Sequence, residues 1–224
     1  MHIGGMQKLT LLDYPGKVAC TVFLSGCNLR CPYCHNPGLV LPDQISAPGI
    51  PELEVFAFLE QRKGKLDGIC ITGGEPTLQP ELPGFLEKLR ELGYAIKLDT
   101  NGTYPGMLKG LLRDGILDYV AMDIKNSPQR YAETCGGADA LSRVRESIDL
   151  LLDSSIEYEF RTTVCKPLHT EKEMEEIGHW LGGAKRYFLQ PFVDTGNLVS
   201  GGVQAHTQEE LMRLRQAVLP DIPN

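Results

Sequence analysis

Cys27, Cys31 and Cys34 stand in the string Ser25-Gly-Cys-Asn-Leu-Arg-Cys-Pro-Tyr-Cys-His-Asn36, a CxxxCxxC arrangement on one short segment. Three thiols this close can wrap a single metal centre. A cuboidal iron–sulfur cluster held by three thiolates keeps one iron for a ligand from outside the protein. Two other chemistries share the spacing. With His35 the set becomes a Cys3His zinc knuckle, although adjacent Cys34 and His35 fit poorly around one tetrahedron. Cys31-Pro-Tyr-Cys-His35 is also a CxxCH of the kind that attaches haem, which needs export and an axial partner.

Other polar clusters add to the choice. Gly73-Gly-Glu-Pro76 offers two glycines that let backbone approach a ligand, and Glu75 can accept hydrogen bonds from an ammonium. Alone it also reads as a turn with a solvated glutamate. Asp99, Thr100 and Asn101, in Asp99-Thr-Asn-Gly102, bring a carboxylate, a hydroxyl and an amide suited to a ribose or a hard cation, or equally to a helix cap and turn. Asp123 and Lys125 suit a cation and a substrate carboxylate respectively, or a surface ion pair. Arg161 can pair bidentately with a carboxylate.

The elements that must position these residues alternate. Strands are expected at Val18–Leu24, Gly68–Thr72, Tyr94–Leu98, Leu117–Met122, Tyr158–Val164 and Arg186–Phe192. Helical patterns separate them, with apolar Leu82, Leu86 and Leu89 on one face, and capping boxes at Thr170-Glu-Lys-Glu173 and Thr207-Gln-Glu-Glu210. Six strand–helix units imply an α/β fold with parallel strands and outer helices, and the length suits a partial (β/α)6 TIM-type barrel. A doubly wound sheet is the competing arrangement. In both, each polar cluster follows the C-terminal end of a strand, where sites form. No linker marks a boundary, so residues 1–224 are expected as one domain, with a core of about 9–192 and a C-terminal loop and helix over 193–224.

Composition narrows the class. With 42% hydrophobic residues among 224, the chain can bury a substantial core. A net charge of −7 argues against nucleic acid as a partner. No apolar run approaches the roughly 18 residues of a membrane span. The opening residues lack a secretory pattern, so the expected location is cytoplasmic, where seven cysteines point to metal binding rather than disulfides. Cys20, Cys70, Cys135 and Cys165 are expected as packed thiols, and His169, His179 and His206 as surface residues.

The cysteine loop with Tyr33 before its last thiol, followed by GGEP after the next strand, resembles the radical S-adenosylmethionine (SAM) superfamily. Leu12-Asp-Tyr-Pro-Gly16, Cys34-His-Asn36, DTNG, Asp123-Ile-Lys125 and Phe160–Val164 resemble the glycyl-radical-enzyme activating proteins, above all those of anaerobic ribonucleotide reductase. The resemblance runs from about Leu9 to Phe192.

It implies that Cys27, Cys31 and Cys34 hold three irons of a [4Fe-4S] cluster, with SAM chelating the fourth. Tyr33 would lie near the adenine. Gly73, Gly74 and Glu75 would hold the methionyl amino group and Lys125 would face its carboxylate, with Arg161 a further contact. Asp99, Thr100 and Asp123 match a monovalent-cation site, and Asp13 a docking site for the partner's glycine loop. The implied reaction is one-electron reductive cleavage of SAM to methionine and a 5′-deoxyadenosyl radical, which takes hydrogen from a partner glycine. The partners implied are a glycyl radical enzyme and a flavodoxin, ferredoxin or similar reductant. Residues 37–68 contain no cysteine, so one cluster is expected. The pyruvate formate-lyase activating enzyme, a small radical SAM enzyme of deazapurine synthesis and a zinc-stabilised binding module are the alternatives.

Overall fold

Ala19–Leu24 is a nearly continuous apolar run with both faces buried, the pattern of a strand inside a parallel sheet. The computed structural model describes residues 1–45 and 48–223. Its strands are β1 (Ile3–Thr10), β2 (Ala19–Leu24), β3 (Gly68–Gly73), β4 (Ala95–Thr100), β5 (Tyr119–Asp123), β6 (Glu157–Val164) and β7 (Tyr187–Pro191). The helices are α1 (Pro37–Val40), α2 (Glu52–Arg62), α3 (Leu82–Glu91), α4 (Pro105–Arg113), α5 (Tyr131–Thr134), α6 (Leu141–Leu152), α7 (Glu171–Trp180) and α8 (Gln208–Val218). Strand order in the sheet follows the chain, β1 to β7. Each strand from β2 to β7 is followed by at least one helix, which gives the six expected β/α units.

The seventh strand, β1, has no counterpart in the sequence reading. It pairs antiparallel with β2, with two register shifts. Gly4 and Gly5 lower its strand propensity, and Gln7, Lys8 and Leu9 are exposed, so no two-residue alternation announces it. Among the described residues no helix is long and apolar enough to cross a membrane.

The chain divides into two compact units, Met1–Asn28 with Gly38–Thr100 and Gly106–Val120, and Leu29–Pro37 with Asn101–Pro105 and Ala121–Asn224. In the first, β2, β3 and β4 run parallel, with Val22 opposite Ile71 and Ile71 opposite Leu98. This places the C-terminal ends of β2 and β3, Leu24 and Gly73, side by side. Helix α3 buries Leu82, Phe85, Leu86 and Leu89. Asp118 fixes the start of β5 by accepting from the Ile96 amide at 2.7 Å and from Arg90 at 2.6 Å.

In the second unit β6 and β7 are parallel, in register from Phe160–Tyr187 to Val164–Pro191. Helix α6 buries Val144, Ile148 and Leu151. Both predicted capping boxes form, at Thr170 with Glu173 and at Thr207 with Glu210. They fix the first turns of α7 and α8, immediately after the loops that leave β6 and β7.

Candidate active site

The first unit supplies the start of the cysteine loop and the glycine-rich turn after β3. Gly73 has φ +125°, and a Cβ there would collide with Leu24 backbone. A Cβ on Gly74 would collide with the Gly26 carbonyl and lie 3.3 Å from the Cys27 Cβ. The Gly74 amide donates to Leu24 O (2.8 Å) and the Glu75 amide to Gly26 O (2.7 Å). The turn is thus laced to the segment that opens the cysteine loop, and only glycine permits so close an approach.

Glu75 is fully buried, which excludes the solvated turn residue. Its Oε1 accepts from the Thr77 amide (3.0 Å), from the Thr77 hydroxyl and from the Thr100 hydroxyl (2.7 Å). The carboxylate therefore braces the turn Pro76–Leu78 against the end of β4, and it is the turn's backbone that comes close to the cysteine loop. Asp99 forms an ion pair with Lys97, two residues earlier on the same strand face. Asp13 accepts from the Thr21 hydroxyl, and its amide donates to Thr10 Oγ1 at 3.2 Å. Beside it Leu11 and Leu12 are exposed.

The second unit holds Cys31, Cys34, Tyr33, Asn101, Asp123, Lys125 and Arg161. Asp123 takes Lys125 Nζ on Oδ2 at 3.0 Å, and Arg161 on Oδ1 through Nε at 3.1 Å and Nη2 at 3.0 Å. Burial works against its charge, but Lys125 and Arg161 together hold the Asp123 carboxyl at about 2. Burial also opposes the Lys125 charge, and Asp123, helped by Tyr33 and Cys31, raises Lys125 well above the usual lysine value. An ammonium carries three donors and Asp123 takes one, which suits Lys125 to a ligand carboxylate.

The cysteines differ chemically. Cys31 is 5% exposed, yet its thiol is drawn down to about 7. A hydrogen bond with Cys135 is the main cause and outweighs burial, and the Lys125 charge adds to it. Burial pushes Cys34 up, and pushes packed Cys20 and Cys165 to about 12. One thiol of the motif is thus poised to ionise near neutral pH, and the thiolate is the form that binds iron. Among the described residues no three His, Cys, Asp or Glu side chains are already gathered as metal ligands, so the three cysteines, none of them in a disulfide, have a cluster loop's spacing without a preformed cage. The soft donor set and the glycine cradle beside Cys27 fit a thiolate-held iron–sulfur cluster.

His35 does not read as a metal ligand here. Its ring stacks on Phe192 with centroids 5.3 Å apart, and Nδ1 lies 3.4 Å from Thr195 Oγ1. Tyr33 is buried and meets the His169 ring edge-on at 6.2 Å. Asn101 is buried, and its amide oxygen accepts from the Thr103 amide and hydroxyl (3.0 and 2.6 Å), a turn-making role.

Two histidines correct the sequence reading. His169 is fully buried, with Nε2 2.9 Å from the Lys125 carbonyl, and the His206 side chain is only 6% exposed. His169 follows the turn after β6, whose Arg130 contacts (Pro167 O 3.1 Å, Leu168 O 3.0 Å) and Asn126 contact (Leu168 O 2.9 Å) carry it inward. Only His179 is exposed as expected. Cys135 is buried as a packed thiol, as expected, but sequence reasoning missed its link to Cys31, and it missed Lys97. The link had no visible signal. Lys97 did, because residues two apart on a strand share a face with the acid they flank.

Comparison with known proteins follows the same line. The profile of the radical SAM superfamily matches residues 21–181. A protein of Methanocaldococcus jannaschii, provisionally named a glycyl-radical enzyme activating enzyme, is 33% identical over 195 residues, 85% of this chain and 79% of that one. The 7-carboxy-7-deazaguanine synthase of Methanopyrus kandleri is 33% identical over 130 residues, 50% of this chain and 51% of its own length. Among solved structures, a domain of the pyruvate-formate lyase-activating enzyme of Bacteroides vulgatus superposes with a TM-score of 0.56 at 19% identity, covering 68% of this chain and 93% of that one. At that identity the likeness speaks for the fold, the partial barrel expected from the alternating strands and helices. With its matched span, its cysteine spacing and its six β/α units, the chain belongs to the radical SAM superfamily, whose enzymes work with a [4Fe-4S] cluster and SAM.

Proposed function

We propose that the protein is an activating enzyme that generates a glycyl radical on a partner enzyme, with anaerobic ribonucleotide reductase the first choice of partner. The observation that carries this reading is the M. jannaschii match, which combines 33% identity with 85% of this chain and 79% of the relative. A deazaguanine synthase matches over a similar span, 79% of this chain and 75% of its own length, at a lower 27% identity. Pyruvate formate-lyase is the next partner to test.

In this reading Cys27, Cys31 and Cys34 hold the cluster. Bound cluster and SAM together supply reductive cleavage of the sulfonium, driven by one electron from a flavodoxin- or ferredoxin-type reductant. The chain's residues bind and orient. The backbone of Gly73–Glu75 takes the methionyl amino group, with the Glu75 carboxylate fixing that backbone through Thr77 and Thr100. Lys125, steered by Asp123, meets the methionyl carboxylate, and Arg161 locks Asp123 from its other oxygen. Tyr33 offers an apolar, water-excluding wall to the adenine. Asp13, with exposed Leu11 and Leu12, receives the partner's glycine loop. No general acid or base is needed, since the hydrogen removed from glycine leaves as an atom.

The test is anaerobic incubation of iron-loaded protein with SAM, reductant and each candidate partner, followed by electron paramagnetic resonance. A glycyl radical doublet on the ribonucleotide reductase is expected. SAM cleavage with no doublet on any glycyl radical enzyme would overturn the activase reading, and stoichiometric zinc without iron in active protein would overturn the cluster.

A further inference from the structure

The resemblance assigns Asp99 and Thr100 to a monovalent cation, and the first unit gives both groups protein partners instead. Lys97 is 1% exposed and Asp99 13%. The Lys97 ammonium is in direct ion-pair contact with Asp99 Oδ1, 3.8 Å from Cys70 Sγ, and 5.9 Å from the centroid of the Tyr119 ring. Cys70 is the register partner of Lys97 on β3, so the ammonium is held between adjacent strands with an aromatic face beyond it. The Thr100 hydroxyl donates to Glu75 at 2.7 Å. In the second unit Asp123 likewise already has Lys125 and Arg161.

We infer that Lys97 is a built-in counter-ion for Asp99: its ammonium fills the role of the monovalent cation, and the protein works without that ion. A buried lysine stays charged when it is paired, and a buried carboxylate needs an opposite charge. Lys97 and Asp99 satisfy both demands at once. A metal cation added beside the ammonium would meet like charge in a low-dielectric setting, with no gain in pairing. Lys97 is then a positioning residue: it pairs with and orients Asp99, one residue before the threonine that braces Glu75. That link to ligand binding rests on the proposed SAM-binding role, whereas the counter-ion role itself does not.

The experiment has two readings. Thermal unfolding of the cluster-free protein is followed in sodium, potassium and tetramethylammonium chloride at equal ionic strength. Wild type is expected to melt at the same temperature in all three. Lys97→Met is expected to melt lower in tetramethylammonium and to recover by several degrees in sodium or potassium. Lys97→Arg, which keeps the charge, is expected to be as indifferent to the salt as wild type. A wild-type midpoint that rises specifically with sodium or potassium would overturn the inference, and so would a Lys97→Met protein that folds and shows no salt selectivity. If Lys97→Met does not fold, the wild-type and Lys97→Arg comparisons decide. SAM binding by iron-loaded wild type in the same salts is the second reading, expected to vary less than twofold. A tenfold gain in potassium would overturn the counter-ion role. No SAM binding in any salt would instead defeat the SAM-binding reading, with the melting results still standing for or against Lys97.

Discussion

The hydroxyl of Thr100, at the end of β4, donates to the carboxylate of Glu75, just past the end of β3, across 2.7 Å. Glu75 of GGEP and Thr100 at the end of β4, which look independent in sequence, are thereby hydrogen-bonded inside the first unit. Glu75 has no water to fall back on, so its partners determine both the shape and the stability of the turn.

Glu75→Ala is therefore expected to destabilise the fold as well as weaken SAM binding. It strands the buried Thr77 and Thr100 hydroxyls, a loss of about 3 kcal/mol. Melting temperature should fall on the order of 10 °C. Thr100→Val, which removes one donor, should lose about 1 kcal/mol in urea unfolding. A Glu75→Ala protein as stable as wild type would remove the bracing role.

Cys31→Ala should lose bound iron and acid-labile sulfide while Cys20→Ala, at an equally buried but packed thiol, keeps both. The contrast follows from Cys31 standing in the CxxxCxxC motif and Cys20 being packed within β2. Iron and sulfide assays on anaerobically reconstituted protein measure it. Equal iron in the two variants would count against the cluster loop.

Lys125→Met should reduce SAM affinity by about tenfold to a hundredfold, the range of a lost charge-assisted hydrogen bond. Asp123 keeps Arg161 in that variant, so the second unit should stay folded. Calorimetric SAM titration checks the first statement and circular dichroism the second.

Stability should depend on Asp123 at acid pH. Its carboxyl sits at about 2 in the folded chain against an ordinary 3.8. A depressed folded value stabilises above the unfolded one, so the contribution is complete above pH about 4 and disappears as pH falls through about 2. It amounts to about 2 kcal/mol. Arg161→Met withdraws one partner, raises Asp123, and should move the acid unfolding midpoint upward in pH. A midpoint unchanged by the substitution would show that Arg161 does not hold the carboxylate.

The alternation of strands and helices was legible because β2, β3 and β4 are short apolar runs closed by glycine or turn residues, and because Thr170 and Thr207 carry capping boxes that announce α7 and α8. β1 was not legible: an edge strand with Gly4, Gly5 and exposed Lys8 has neither propensity nor alternation to show. Spacing alone exposed the three cysteines as candidate ligands. The partners of those residues were hidden, because Cys135 reaches Cys31 from a segment about a hundred positions away, and His169 turns inward only through Arg130 and Asn126. The acid at Asp99 was legible as a candidate cation ligand, whereas its ion pair with Lys97 shows in sequence only when strand faces are counted.

The cysteine loop is tied to chain that comes much later. The Arg30 amide donates to Cys135 O at 3.1 Å, Val199 to Cys34 O at 3.1 Å, and Ser200 to Pro32 O at 3.2 Å. During synthesis the thiols leave the ribosome early, but the segments that shape their loop emerge more than a hundred residues afterwards. The loop therefore reaches the shape described here only once residues as late as Ser200 have been made.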